Sequence, residues 1–238
     1  MTTFLGMEYT NFFFGHQNVI HDSCDGQLYS YRSQTTPESL WSSLTAGQTI
    51  AIPHHTAESN DILDYDFRHF NANFNRLYEI YQARGSYECY DCIGGFPEPG
   101  SNPESPLFYN KPPDPANGAG YFQDALAKGL RMGVIASPDH PGMWGIASVY
   151  AASGSQNDIF EALTARRTYG VSNAAARIIV DFLGDGHIMG EEYDLTEGCP
   201  SFYGYVKTDY TNPLTGELAR IEEVKIYRVT DVAPGENG

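Results

Sequence analysis

The spacing of hydrophobic residues changes near Arg177, and this change most constrains the folds that the chain can adopt. Before it, short apolar runs such as Thr49–Pro53 alternate with segments of helical spacing such as Asn157–Tyr169. After it, apolar residues recur at every second position in RIIVDFL, SFYGYVKT and EEVKIYRV, which is typical of strands. Strands and helices in alternation, followed by strands alone, predict an α/β unit and then a small antiparallel β module. We place the two parts at residues 1–172 and 173–238.

The α/β unit is predicted to contain short strands and three helices. One helix should begin at Thr36-Pro37, where a capping box and a proline coincide, and run to Leu44. The segment Cys92–Gly120 is rich in Pro and Gly and is predicted to be a long functional loop. The other predicted strands are Thr2–Tyr9, Gln17–His21, Arg76–Tyr81 and Gly133–Ser137, and the other helices are Tyr121–Met132 and Asn157–Tyr169.

Charge and hydropathy exclude several classes of partner. The 238 residues include Lys+Arg 14 against Asp+Glu 30, a net charge of −16, so a nucleic acid would be repelled. No segment approaches the roughly 20 apolar residues that a membrane span requires. The first residues lack a basic region and include Glu8, which argues against a signal peptide. We therefore expect a soluble, cytoplasmic protein without nucleic-acid or membrane partners.

The four cysteines leave the redox compartment open. Cys89 and Cys92 form a C-x-x-C, which is half of the pattern of a zinc or redox site, and no second half accompanies it. Ordinary thiols are the commoner explanation for such an isolated pair. The remaining two, Cys24 and Cys199, stand alone in the sequence.

Histidines and carboxylates stand at successive predicted strand ends. Because loops that follow parallel strands converge, such side chains are expected to meet, and His, Asp and Glu together form the ligand set of hydrolytic metal sites. Each of them alone could equally be a hydrogen-bonded structural residue or a turn. No G-x-S-x-G, G-x-G-x-x-G or P-loop offers a rival chemistry. The candidates are Glu8, His16, His54, His55, Glu79, Glu88, Asp139 and His140.

Five ordered motifs resemble one branch of the PHP (polymerase and histidinol phosphatase) superfamily. They are GMEYT with GHQN, IPHHTA, LYEIYQARGSYE, GLRMGVIASPDH and IFEALTARRTYG, and they extend from about Phe4 to Glu191. The resemblance implies a distorted (β/α) barrel with two or three zinc, manganese or iron ions at the strand ends. It also implies hydrolysis of phosphate esters.

The resemblance assigns a role to each matching residue. Glu8 would bridge metals, His16 and His54 would complete one metal site, and Asp139 and His140 would serve neighbouring metals. His55 would take part in catalysis with Asp139 and His140, from a position beside the ligands or facing the substrate. Glu79 and Glu88 would face the substrate. Arg84 and Arg131 are not carried over from the family; they are the basic residues nearest these motifs, and we assign them to substrate binding because either could hold the phosphate.

The chain departs from the family pattern at its start. No His-x-His occurs anywhere in the sequence, so the first third of the family's barrel is missing. One metal position keeps its expected ligands, and each of the other positions loses half of its ligands. We therefore expect an incomplete barrel with one to two divalent metals. Its open strand edges would be covered either by a second copy in a homo-oligomer or by the C-terminal β module.

The predicted function is metal-dependent hydrolysis of a small phosphate ester through a metal-activated water. Two alternatives stay open. One is a non-catalytic remnant or binding module with a vestigial metal site. The other is metal-dependent hydrolysis of a non-phosphate ester or amide, which the same activated water would serve.

Overall fold

Strands make up most of the regular structure. A computed structural model describes residues 1–57, 65, 67–82, 85–89, 120–139, 145–172, 177–195, 198–211 and 215–227. Of these residues 32% lie in strands and 12% in helices. The strands form small sheets of two or three members, and no closed barrel is present in the described ranges. The predicted incomplete (β/α) barrel is therefore wrong.

The first sheet shows why the barrel prediction fails. Its strands β1 (Leu5–Tyr9), β2 (His16–His21) and β3 (Thr49–His54) are antiparallel throughout, in the order β1-β2-β3. The turn between β1 and β2 is too short for the crossover of a dozen or more residues that a parallel pair needs. A hairpin forms instead. The expectation of a homo-oligomer rested on the open edges of an incomplete barrel. Because no barrel forms, that reason for self-association no longer applies.

The second sheet is mixed, and it lies beside the first. β4 (Leu77–Gln82) pairs antiparallel with β5 (Gly85–Ser86) and parallel with β6 (Gly133–Ala136), which is the one parallel pair among the described strands. β3 contacts β4, and the Ala51 amide donates to the Phe74 carbonyl at 3.0 Å just ahead of β4. The carboxyl ends of β3, β4 and β6 are thereby brought close together.

Two further antiparallel sheets follow. β7 (Ile146–Val149) pairs with β8 (Thr168–Val171), and both strands contact β6. The last sheet has the order β10-β9-β11, with β9 at Ile178–Gly184, β10 at His187–Ile188 and β11 at Phe202–Thr208. The predicted antiparallel strands RIIVDFL and SFYGYVKT thus form. The predicted strand EEVKIYRV does not form over its described residues, 222–227, which have no regular structure, and its last two residues lie outside the described part of the chain. The boundary at residue 172 stays a prediction.

The three described helices are shorter than predicted. α1 (Pro37–Trp41) begins at Thr36, whose side chain accepts from the Ser39 amide, and ends at Ser42. α2 (Phe122–Ala127) ends before Gly129, whose φ of +74° is incompatible with a continuing helix. α3 (Gln156–Thr164) stops earlier than predicted because the chain turns at Arg166, with φ +63°, and continues as β8.

Three buried clusters hold these elements together. One packs Tyr78 against Tyr87 and Tyr121, a second packs Tyr9 against Trp41, and a third joins the first two sheets and α3. In that third cluster Ile50 and Ile52 of β3 pack with Leu77, Ile135, Phe160 and Leu163. The strand ends that carry the candidate site are thus anchored by a common core. No helix in the described part of the chain is long and apolar enough to cross a membrane.

Candidate metal centre

Five of the sequence-predicted residues meet at one end of the first two sheets. Strand register places His16, the first residue of β2, directly opposite His54, the last residue of β3. Glu8 comes from the end of β1, and His55 follows β3 directly. Asp139 follows β6 on the parallel side of the second sheet. The antiparallel hairpin thus gathers side chains that the barrel prediction had assigned to parallel strand ends.

Glu8 and His16 form the first histidine–carboxylate pair. Nδ1 of His16 donates to Oε1 of Glu8 at 2.6 Å, and this bond, outweighing the opposite effect of burial, lowers the pKa of Glu8. Nε2 of His16 is buried and has no hydrogen-bond partner among the described residues. Because the Nδ1 proton is engaged by Glu8, a neutral His16 presents an unprotonated Nε2, which is the form that binds a metal.

His54 and Glu79 form the second pair. Nδ1 of His54 lies 2.8 Å from Oε2 of Glu79, and its Nε2 lies 3.3 Å from Oδ2 of Asp139. Burial opposes the protonation of His54, but the charge of Glu79 and the bonds to both carboxylates outweigh it and raise the His54 pKa to about 10. A cation that bound the Nε2 of His54 would compete with the proton that these carboxylates favour.

Glu79 is fixed from three directions, which makes it an orienting residue. Besides His54, the His55 amide donates to its Oε2 at 3.0 Å, and the Ser137 hydroxyl donates to its Oε1. Its side chain is 1% exposed and faces the interior beside the His54 ring, and its predicted contact with a substrate stays a prediction. A buried carboxylate that holds the Nδ1 of a histidine fixes the ring so that Nε2 faces a ligand. Ser137 was missed by the sequence analysis.

Two groups of three side chains have metal-binding geometry. They are Glu8, His16 and His55, and His54, His55 and Asp139, and in each group the three ligand atoms lie within 4.8 Å of one another. His55 belongs to both, with its ring centroid 4.7 Å from that of His16 and 3.9 Å from that of His54. Imidazole nitrogens with carboxylate oxygens suit zinc, manganese and iron alike. The residues present therefore fit one or two divalent cations.

Two of these ligand candidates have a strained backbone. His55 has φ +35° and Asp139 has φ +51°, the left-handed region that residues other than glycine adopt at a cost. In this conformation the backbone turns each side chain into the cluster at the point where its strand ends. Strain of this kind collects at functional sites, because the surrounding packing must enforce it.

The remaining predicted residues lie elsewhere. Arg131 precedes β6, at the opposite end of that strand from Asp139, and its exposed guanidinium pairs with Glu192. Glu88 is partly buried and belongs to neither ligand group. His140 and Arg84 lie outside the described residues, as do Cys92 and most of the predicted loop Cys92–Gly120. Cys89 is disulfide-bonded, whereas Cys24 and Cys199 are free and exposed.

The other described histidines have local partners. His21 lies at the far end of β2, where its Nε2 donates to the Gln27 carbonyl at 3.1 Å. His69 pairs with Glu38 and His187 with Glu191, and neither belongs to a ligand group.

An exposed aromatic turn that the sequence analysis missed borders the cluster. Phe12 stands edge-on to the His16 ring at 5.7 Å and remains 44% exposed, and the neighbouring Phe13 is 80% exposed. The buried Asn11 side chain fixes this turn by accepting from the Phe13 amide at 2.9 Å. Apolar rings held beside polar ligand candidates are typical of a binding-site rim.

Comparisons with known proteins leave the activity open. No family model matches the chain, and no solved structure matches it. An uncharacterized protein of Chlamydia trachomatis serovar D is 28% identical over 208 residues, which cover 81% of this chain and 30% of the relative. An uncharacterized protein of Chlamydia muridarum is 30% identical over 168 residues, covering 64% of this chain and 25% of the relative. The chain thus spans less than a third of the length of these curated relatives.

Proposed function

We propose that the cluster binds one or two divalent cations and that the protein is a metal-dependent hydrolase. The observation that carries this proposal is the pair of ligand groups that share His55, each with three donor atoms within 4.8 Å. The buried Nε2 of His16 supports it, because this atom has no hydrogen-bond partner in the described part of the chain and such an atom is costly unless a ligand satisfies it. Phosphate esters are the first substrate class to test, since the PHP resemblance favours them.

The residues of the chain divide into ligands and supports. His16, His54 and His55 offer imidazole nitrogens, and Glu8 and Asp139 offer carboxylate oxygens. Glu79 holds the His54 ring and the backbone of His55 in place. A divalent cation held by such ligands supplies positive charge and lowers the pKa of a coordinated water towards about 7. Glu8 is 36% exposed, the most accessible carboxylate of the cluster, and would therefore be its solvent-side ligand.

Metal stoichiometry is the first test. Protein purified without chelator or His-tag should contain one to two equivalents of zinc, manganese or iron per chain by elemental analysis. His16→Ala and His54→Ala should lose most of that metal. His21→Ala is the matched control, because His21 is also buried and lies on the same strand pair at its other end. Circular dichroism checks that each variant is folded, and His54→Asn replaces His54→Ala if the latter is not.

Hydrolysis is tested on the same proteins. The metal-loaded protein should hydrolyse 4-nitrophenyl phosphate, and turnover should fall with metal content in the histidine variants. Turnover of 4-nitrophenyl acetate in place of the phosphate would assign a carboxylic ester substrate. Metal binding without either activity would indicate a binding module. Absence of bound metal, with none taken up on addition, would contradict the metal site itself.

A further inference from the structure

The aromatic turn consists of residues 12–14, all of them phenylalanine, and lies between two of the candidate metal ligands. Glu8 precedes the turn near the end of β1, and His16 follows it as the first residue of β2. The Thr10 hydroxyl donates to Oε1 of Glu8 at 3.3 Å, and the ring centroid of Phe12 lies 5.7 Å from that of His16. The connection between β1 and β2 therefore contacts both ligand candidates.

Two rings of the aromatic turn are open to solvent beside His16. The Phe12 ring packs against the rings of His16 and Tyr31, with centroid distances of 5.7 Å and 5.9 Å and interplanar angles of 78° and 80°. Aromatic rings favour such edge-to-face contacts. Phe12 nevertheless remains 44% exposed, and the neighbouring Phe13 is 80% exposed. The turn thus offers apolar surface to a further group.

The buried Asn11 side chain holds the aromatic turn in place. Its Oδ1 accepts from the Phe13 amide at 2.9 Å, and its Nδ2 donates to the Tyr9 hydroxyl at 2.9 Å and to the Thr35 carbonyl at 3.2 Å. These three bonds use both amide hydrogens and the oxygen of the side chain. A surface that is fixed before a ligand arrives loses little conformational entropy on binding. The two exposed rings are therefore preorganised for contact.

The aromatic turn lies on the side of the ligand group that solvent reaches. In the group of Glu8, His16 and His55, the Glu8 side chain is 36% exposed, whereas that of His16 is 7% exposed and His55 is buried. A molecule that approaches a cation held by this group therefore arrives beside Glu8. Phe12 and Phe13 lie on the connection from Glu8 to His16, so their rings border this approach.

We propose that Phe12 and Phe13 determine specificity at the candidate metal centre and that they bind an aromatic group of the substrate. This inference rests on the proposed function, because it requires a substrate held at the ligand group. A phenylalanine ring has no hydrogen-bonding atom, so it favours an apolar group over a polar one. An aromatic ring of the substrate buries the exposed surface and extends the edge-to-face packing of Phe12 with its neighbours. The substrate class is therefore an ester with an aryl group.

Matched hydroxamates test this inference without turnover. Acetohydroxamate and benzohydroxamate bind a metal ion through the same two oxygens and differ only in a methyl or a phenyl group. Calorimetric titration of the metal-loaded protein measures both affinities. We expect benzohydroxamate to bind about tenfold more tightly, because its ring removes more apolar surface from water and contacts the aromatic turn.

Two substitutions assign the preference to the aromatic turn. Phe12→Leu and Phe13→Ala should each reduce the affinity ratio by about threefold or more, since each removes one ring from the contact. Leucine keeps an apolar side chain beside His16, and Phe13 is exposed enough to be truncated without loss of packing. Elemental analysis checks that each variant keeps its metal. Tyr203→Ala is the control, because Tyr203 is an exposed aromatic residue of β11 and should leave the ratio unchanged.

The possible failures separate this inference from the proposed function. Equal affinity for the two hydroxamates, or a preference that survives in both phenylalanine variants, would overturn the inference and leave the metal site intact. Equal affinity for benzohydroxamate and cyclohexanecarbohydroxamate would overturn the aromatic class, because any apolar ring would then suffice. Absence of bound metal, or a metal-loaded protein that binds neither acetohydroxamate nor benzohydroxamate, would overturn the proposed function and this inference together.

Discussion

His16 and His54 face each other across strands β2 and β3, and each directs its Nδ1 at a different carboxylate. His16 holds Glu8 at 2.6 Å and His54 holds Glu79 at 2.8 Å, so two histidine–carboxylate pairs stand side by side at one sheet end. This arrangement leaves both Nε2 atoms on the side away from the carboxylates that hold the rings. Both Nε2 atoms are thereby oriented as candidate metal ligands, and the first prediction follows from this orientation.

Glu79→Gln should weaken metal binding without removing a ligand. The amide oxygen of glutamine can still accept from His54, but the negative charge that increases the basicity of that imidazole is lost. Loss of such a partner typically reduces metal affinity by about 10- to 100-fold. Calorimetric titration of the metal-free protein with Zn²⁺ measures this. Glu88→Gln is the control, and an equal loss of affinity in both variants would contradict the orienting role of Glu79.

Arg131→Ala should leave metal content and hydrolysis unchanged. The Arg131 guanidinium pairs with Glu192 and is 73% exposed, at the end of β6 away from Asp139. Elemental analysis and steady-state assays on the variant, beside His54→Ala as a positive control, check this. A marked rise in the KM of a phosphate substrate would return Arg131 to the substrate-binding role that the sequence predicted.

Acid should weaken the contacts of Glu192. Hydrogen bonds from Arg166 and Arg131 lower the pKa of Glu192 below its ordinary value of 4.5. A lowered pKa stabilises the folded state above pH 4.5, and this contribution disappears as the pH falls through the folded-state pKa. The Tm of the unmodified protein should therefore exceed that of Glu192→Gln at pH 7, and the difference should shrink below pH 4.5. A difference independent of pH would indicate a loss of packing.

Gly170→Ala should destabilise the contact between β8 and β6. A Cβ at Gly170 would lie 2.8 Å from the Ala136 amide nitrogen and 2.9 Å from the Ile135 carbonyl carbon, both backbone atoms that cannot move aside. Overpacking of this kind costs about 1–3 kcal/mol. Urea unfolding measures the free energy. Gly154→Ala is the matched control, because a Cβ there meets nothing within 4 Å, and equal effects of the two substitutions would refute the close approach.

Local signals in the sequence predicted several elements well. The alternation in RIIVDFL and SFYGYVKT yields β9 and β11, and the Thr36-Pro37 signal does start α1. These features depend on neighbouring residues alone. Helix ends were predicted too far along the chain, because Gly129 and Arg166 turn the backbone earlier than periodicity indicated. Strands β7 and β8 were missed, and β8 begins inside the predicted helix Asn157–Tyr169.

The sequence predicted which residues of the site lie close together, but not the strand arrangement that brings them together. Histidines at strand ends pointed correctly to Glu8, His16, His54, His55 and Asp139 as neighbours. Strand direction is not written in a short apolar run, and the barrel prediction assumed parallel pairing where the β1–β2 turn enforces a hairpin. The depth of Glu79 and its bond to Ser137 arise from tertiary packing, which no motif records.

The two ligand groups draw on two different sheets, and this affects the order of events during folding. Glu8, His16, His54 and His55 come from the β1-β2-β3 sheet or the residue that follows it, whereas Asp139 follows the β5-β4-β6 sheet. Neither sheet alone can offer the group of His54, His55 and Asp139. Capture of a cation by that group would therefore be a late step that reports the docking of the two sheets, and loss of the cation would be an early sign of their separation.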